Sequence, residues 1–291
     1  MKFRKYVSNY IRAIKLVWQR RIFIAWSTDW FIFALPFEAV NLIMGILSLY
    51  YYGLMFGEQN PPILREYGGS FIAYLLLGLA ANTLLTYSLT TLVRKTQRLF
   101  LGRVNIAGSI MNYIDYLRLS GIPITAWLTV DLFAGYINHL CYFAVYIIAG
   151  AVFFGLSIPP NSDILGAVIS LLLGIAASIG LSLIGAAILL FIRYPFGRDP
   201  LTWIVGLLSS VFSGVYFPPS LIPESLRWIS YLLPQTYTLD IMRKCLLGGI
   251  SLTSQFASFT ILLVEAILLL IVGILMYLKG LDYILRKEVL M

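Results

Sequence analysis

The stretch FSGVYFPPSLIPESLRWISYLLPQTYTLDIMRKCLLGG, residues 212–249, decides how the whole chain is read. It is apolar enough for a membrane, yet Pro218, Pro219, Pro223 and Pro234 cut it into pieces too short to span one. A bilayer core offers no water to free backbone N–H and C=O groups. Broken helix is therefore tolerated at membrane depth only inside protein or beside a water-filled path. The segment is predicted to dip into the membrane from outside and return, marking the working part of a transporter or channel. An ordinary proline-rich extracellular loop is the competing reading of its periodicity.

Working outward, the remainder of the chain sets the class. Of its 291 residues 60% are hydrophobic and 12% charged, with a mean hydropathy of +0.87, whereas a soluble domain carries about 25% charged residues. A span needs roughly 20 apolar residues of helix, and such windows fall near residues 30–54, 70–93, 122–155, 163–192, 200–218 and 256–278. The expected fold is an all-α polytopic membrane protein forming a single transmembrane domain over residues 1–291. It has six transmembrane helices, an N-terminal interfacial helix and re-entrant broken helices before the last span.

The basic residues orient these spans. With both termini cytoplasmic, only Arg65, Arg227, Arg243 and Lys244 fall outside, leaving 17 of the 21 Lys and Arg residues inside. The net charge of +8 is then a topology signal, dispersed over short loops in a way that argues against nucleic acid as a partner. Residues 1–28 contain no acid, and Phe3, Tyr6, Val7, Tyr10, Ile11 and Ile14 recur at helical spacing opposite Lys5, Arg12 and Lys15. That pattern predicts an amphipathic helix lying on the cytoplasmic surface against anionic lipid. The location implied is the plasma or inner membrane.

A long cytoplasmic connection, residues 94–121, joins the second and third spans. Ile106, Ile110, Met111, Ile114 and Leu117 repeat there at helical spacing, which predicts a helix with Ile110 and Ile114 on its buried side. Either it lies in the interface or it docks a soluble partner.

Within 212–249, Pro218 and Pro219 are expected to end the fifth span. A short helix from Pro223 to Leu233 would pair Glu224 with Arg227, and a second, capped by Thr236 or Thr238, would set Asp240 against Arg243 and Lys244 before Gly248 and Gly249 stop it.

This segment resembles the signature of a known family, the membrane subunits of ABC transporters of the type-2 exporter class. The matching residues are Ser213, Gly214, Phe217, Pro218, Pro223, Leu226, Leu233, Pro234, Thr236, Tyr237, Leu239, Asp240, Arg243, Gly248 and Gly249. The resemblance implies a gate or re-entrant element carried by Gly214, Phe217, Pro218, Pro223, Leu233, Pro234, Tyr237 and Arg243. It also implies that residues 94–121 couple to a separate ATPase subunit through Arg98, Arg103, Asn105, Ser109 and Asp115. Gly108–Ser109 and Gly121–Pro123 stand where the family has Gly-Thr and a small-Pro pair, but the family's acidic run is basic here. ATP and Mg would sit on the partner subunit and no cofactor on this chain. A second copy of the chain, or a paralogous permease, would complete the membrane path. An amphiphile, drug-like, lipid or glycolipid, is the implied substrate.

The chain carries little chemistry of its own. No Gly-Lys pair occurs, so there is no Walker A loop to cradle phosphates. His139 is the only histidine and Cys141 and Cys245 the only cysteines, which leaves a metal or nucleophilic site without company. An enzyme is therefore not expected. The intramembrane acids Glu38, Asp131 and Glu265 are costly in lipid and stand as path or pairing candidates. A stand-alone secondary transporter or channel is the alternative function, although the repeated halves with matching broken helices common in such carriers are not evident.

Overall fold

The computed structural model describes residues 62–106, 109–192 and 200–289, together with scattered positions between 11 and 51. The predicted first span, most of the N-terminal interfacial helix and Glu38 lie outside the described residues, although the positions described between 11 and 19 and between 40 and 51 are helical.

Among the described residues four helices are long and apolar enough to cross a membrane: α1 (Phe71–Leu101), α3 (Ile124–Phe154), α4 (Ile164–Ile192) and α8 (Phe256–Val289). Each matches a predicted span. At 1.5 Å per residue the 29 residues of α4, the shortest, reach about 43 Å, beyond the ~30 Å hydrocarbon core. The chain is thus an all-α, multi-pass membrane protein, with a small β-hairpin among the described residues.

Of the fifth predicted span, residues 200–218, only the first part is helical among the described residues. Helix α5 (Pro200–Phe212) has 13 described residues, about 20 Å, shorter than the four long helices. It stops before Pro218 because Gly214, with φ +82°, takes the left-handed conformation that ends helices and that side chains disfavour. Two short helices follow, α6 (Glu224–Tyr231) and α7 (Pro234–Leu246).

The predicted helix in the 94–121 connection is corrected. Strands β1 (Arg103–Ile106) and β2 (Ser109–Asn112) pair antiparallel, Arg103 opposite Asn112 and Ile106 opposite Ser109, and only then does α2 (Tyr113–Leu119) begin. The run Val104-Asn105-Ile106 alternates apolar and polar with β-branched residues, a period-2 signal that outweighs the helical spacing. Ile114 is buried as expected, but Ile110 is 66% exposed.

The chain divides into two compact units, Met1–Gly45 with Arg94–Asn138, and Ile46–Val93 with His139–Met291. In the first, Leu99, Leu117, Trp127 and Leu128 form a small core. Beside that core, Tyr113 meets Trp127 with ring centroids 5.2 Å apart.

The second unit is built on α4. Helix α8 runs beside it in the same direction, and the backbones come close: a Cβ on Gly180 would stand 2.5 Å from the Leu269 carbonyl carbon, and one on Gly273 2.5 Å from the Gly180 oxygen. Small residues allow such approach where lipid provides no hydrophobic drive between helices. Helix α7 packs on α4 in the opposite sense, since Asp163 N–H donates to the Cys245 carbonyl (3.0 Å) while Thr238 fills the space over Gly174.

Candidate functional site

The broken segment is held by Arg243. Helix α7 starts with Pro234 at its first position, where a missing N–H is harmless, and nine residues later places Arg243 at 1% exposure. The helix begins ahead of both threonines, so the predicted Thr236 or Thr238 cap does not form. The Thr238 hydroxyl instead donates to the Pro234 carbonyl (2.8 Å).

Arg243 does not pair with Asp240 as expected. Its Nη1 donates to the Gly214 carbonyl (2.6 Å) and its Nη2 to the Val215 carbonyl (2.7 Å), with the guanidinium carbon 3.6 Å from the centre of the Tyr74 ring. The Tyr74 hydroxyl donates to the same Gly214 carbonyl at 2.8 Å. Where α5 breaks, two carbonyls lose their helical partners inside protein, and a planar fork with donors to spare replaces them. Gly78 on α1 makes the room, since a Cβ there would lie 1.7 Å from Arg243 Nη2 and 2.6 Å from the Val215 oxygen.

One turn away, Asp240 accepts a hydrogen bond from the Tyr67 hydroxyl and pairs with Lys244 (3.2 Å), which also reaches Glu66 (3.2 Å). Burial, then the charge of Asp240, hold the Tyr67 phenol above its ordinary range, so it stays a donor. At the far end of α7, Asp163 accepts from the N–H groups of Gly166 and Leu252 (both 2.8 Å), bonds that hold its carboxyl below the usual range.

The other residues predicted to form a gate spread along the segment. Pro218, Leu233 and Pro234 are buried, Phe217 is half-buried and Pro223 is exposed. The Tyr237 ring stacks on Tyr231 with centroids 6.5 Å apart. Arg227 turns back to the Ser220 and Ile222 carbonyls (3.0 and 3.1 Å) rather than to Glu224. Leu226, Trp228 and Leu232 on α6 are 43%, 58% and 66% exposed, an apolar surface suited to lipid.

Among the intramembrane acids, Asp131 is buried and its carboxylate meets the Lys95 ammonium, which also donates to the Asp131 carbonyl (3.2 Å). Glu265 differs: its Oε2 is buried without a hydrogen-bond partner. Of the residues predicted to couple to a partner, Arg98 is exposed over the Tyr113 ring (5.6 Å), Asp115 pairs with Arg118 (3.5 Å), and Arg103, Asn105 and Ser109 are backbone members of the hairpin. His139 stacks on Tyr87 with centroids 4.2 Å apart, as a packing residue would.

Sequence reasoning missed Tyr67, Tyr74 and Gly78. Tyr74 and Gly78 lie one turn apart on α1, a spacing that marks a shared face, but nothing local points to Arg243 some 170 residues on.

Fold and site together define a multi-pass helical membrane protein with a broken element packed into its own bundle. No protein-family model matches the chain, and comparison with curated proteins finds no match to it.

Proposed function

We propose that this chain is the membrane subunit of an ATP-driven exporter of the ABC type-2 class, moving an amphiphile while a separate subunit hydrolyses ATP. The observation carrying this reading is the half-length α5 followed by α6 and α7, with the break taken up by Arg243. Regular helix is compulsory against lipid, and interruption with dedicated side-chain repair belongs to elements that close or line a path. The resemblance of residues 212–249 to the family signature agrees with that placement, and so does the Lys and Arg asymmetry that puts both termini in the cytoplasm.

In this reading residues 94–121 form the coupling region. The hairpin and α2 offer exposed Ile110 and Leu119 (66% and 77%) beside Arg98 and the Asp115–Arg118 pair, a mixed surface suited to a soluble subunit. Two membrane subunits, identical or paralogous, enclose the path, and six spans per chain are completed by the first predicted span and by α5 with the broken segment.

The test is to isolate the tagged chain from its native membrane in mild detergent and photolabel with azido-ATP. A labelled partner present in stoichiometric amount, whose ATP hydrolysis falls on Asp115→Arg with Arg103→Glu, is the expected result. Absence of any ATP-binding partner, together with gradient-driven flux by the chain alone in liposomes, would establish the secondary-transporter alternative instead.

A further inference from the structure

Glu265 stands on the third turn of α8, about 14 Å from the helix start, and no Lys, Arg or His forms an ion pair with it among the described residues. A carboxylate in this setting is expensive, and natural sequences pair it or neutralise it. It is also not alone. Both amide atoms of Gln235 (2% exposed), Thr236 Oγ1 (4%) and Ser178 Oγ (0%) are buried without hydrogen-bond partners.

Helix register brings these orphans to one level. Thr238 lies over Gly174, and α7 and α4 run in opposite senses. One turn back along α7 is Gln235, and one turn forward along α4 is Ser178, which places these two at the same level of the α4–α7 contact. On α8, Leu269 sits against Gly180, which sets Glu265, one turn earlier, beside the stretch of α4 that carries Gly174 and Ser178. Its neighbours Leu262 and Ala266 are buried at 0% and 1%, whereas Ile261, Val264 and Leu268 are 43–55% exposed. Glu265 thus occupies the flank between the packed face and the lipid face, within electrostatic range of Tyr237.

We propose that Glu265, Gln235 and Ser178 form a binding site for the ammonium group of a cationic amphiphile. A single uncompensated carboxylate supplies the counter-charge, and amide and hydroxyl oxygens accept the remaining N–H donors. The exposed apolar flank of α8 receives the hydrocarbon part from the membrane. Among the described residues no second carboxylate is grouped with it, as suits a monovalent group. This deepens the exporter reading by naming its substrate class and rests on that reading for transport alone; binding is a property of this chain without the ATPase.

The whole chain in zwitterionic nanodiscs is titrated with a lipophilic rhodamine ester bearing a fixed positive charge, followed by fluorescence anisotropy, with an uncharged fluorophore of similar size as control. Preferential binding of the cation, displaced by dodecylamine and not by dodecanol, is expected. Glu265→Gln should weaken it about tenfold or more, because one charge-assisted contact is lost, with the neutral dye unaffected and Glu265→Asp partly retaining the preference. Equal affinity for charged and neutral dyes in the wild-type chain overturns the site, and that comparison needs no variant to fold. Unchanged cation binding in Glu265→Gln, or displacement by millimolar sodium as effective as by dodecylamine, overturns it also. Cation binding without any ATP-dependent export would leave the site standing and remove the exporter reading.

Discussion

Replacing Arg243 tests whether the break in α5 depends on its side chain. In Arg243→Ala the Gly214 carbonyl keeps the Tyr74 hydroxyl at 2.8 Å, but the Val215 carbonyl loses its 2.7 Å donor and is left buried. An orphaned group of this kind costs about 1–3 kcal/mol. Loss of the ring contact at 3.6 Å adds up to about 2 kcal/mol, and the vacated space adds more. Relief of the buried guanidinium's desolvation acts in the other direction, so the net loss expected is about 3 kcal/mol. Arg243→Lys keeps the charge but not the fork, and one ammonium cannot reproduce both bonds in their present geometry. It should lose about 1.5–3 kcal/mol. Gly78→Ala attacks the same contact from α1, because its Cβ would stand 1.7 Å from Nη2 and 2.6 Å from the Val215 oxygen. The two substitutions should therefore be non-additive, with a coupling of at least about 1 kcal/mol. Unfolding in mixed SDS micelles, read by circular dichroism, supplies the cycle, and limited proteolysis at residues 213–223 reports release of the segment. Additive losses, or an Arg243→Lys protein as stable as the wild type, would refute the reasoning.

Asp131→Ala should destabilise the first unit by about 3 kcal/mol or more, since it removes the carboxylate from a mostly buried ion pair, whereas Asp131→Leu combined with Lys95→Met should recover most of the loss; the same micelle titration reads both. Asp163, whose carboxyl is held below its ordinary range by two backbone N–H groups, contributes stability that is complete above the ordinary aspartate range. That contribution falls away as pH drops through the range towards the lowered folded-state value. A thermal-melting series through the acid range should show a shallower decline for Asp163→Asn than for the wild type, and identical slopes would remove Asp163 from the account.

Hydropathy made the long helices legible because membrane burial demands continuous apolar runs, and α1, α3, α4 and α8 carry them. The prolines likewise announced that residues 212–249 are broken. They misplaced the end of α5, because a left-handed glycine stops a helix by conformation while a proline stops it by a missing donor. Gly214 comes first in the chain. In the 94–121 connection two periodicities competed over a few residues, and the β-branched Val104 and Ile106 decided for strands that the spacing of Ile106, Ile110 and Ile114 concealed. The site itself was half legible. Arg243 and Glu265 stood out as charges in apolar surroundings. Their partners, or lack of them, depend on which helix faces which, and no local pattern encodes that.

The clamp at Gly214 also constrains what the proposed gate would have to do. A glycine with φ +82° reads as a natural hinge, yet its carbonyl is bonded twice, by Arg243 and by Tyr74, and opening there would expose both donors inside the bundle. Local rotation at Gly214 therefore carries the cost of at least two hydrogen bonds, one of them charge-assisted, or about 2–4 kcal/mol. The piece between Pro218 and Leu233 is less constrained. Helix α6 buries Ser230 alone and exposes Leu226, Trp228 and Leu232. In the proposed exporter the moving part is then α6, swinging as a short rigid helix between its flanking prolines, while Arg243 keeps the end of α5 and the start of α1 together. In that proposal the moving piece and the fixed frame are adjacent in sequence, and the boundary between them is set by where the buried hydrogen bonds of Arg243 end.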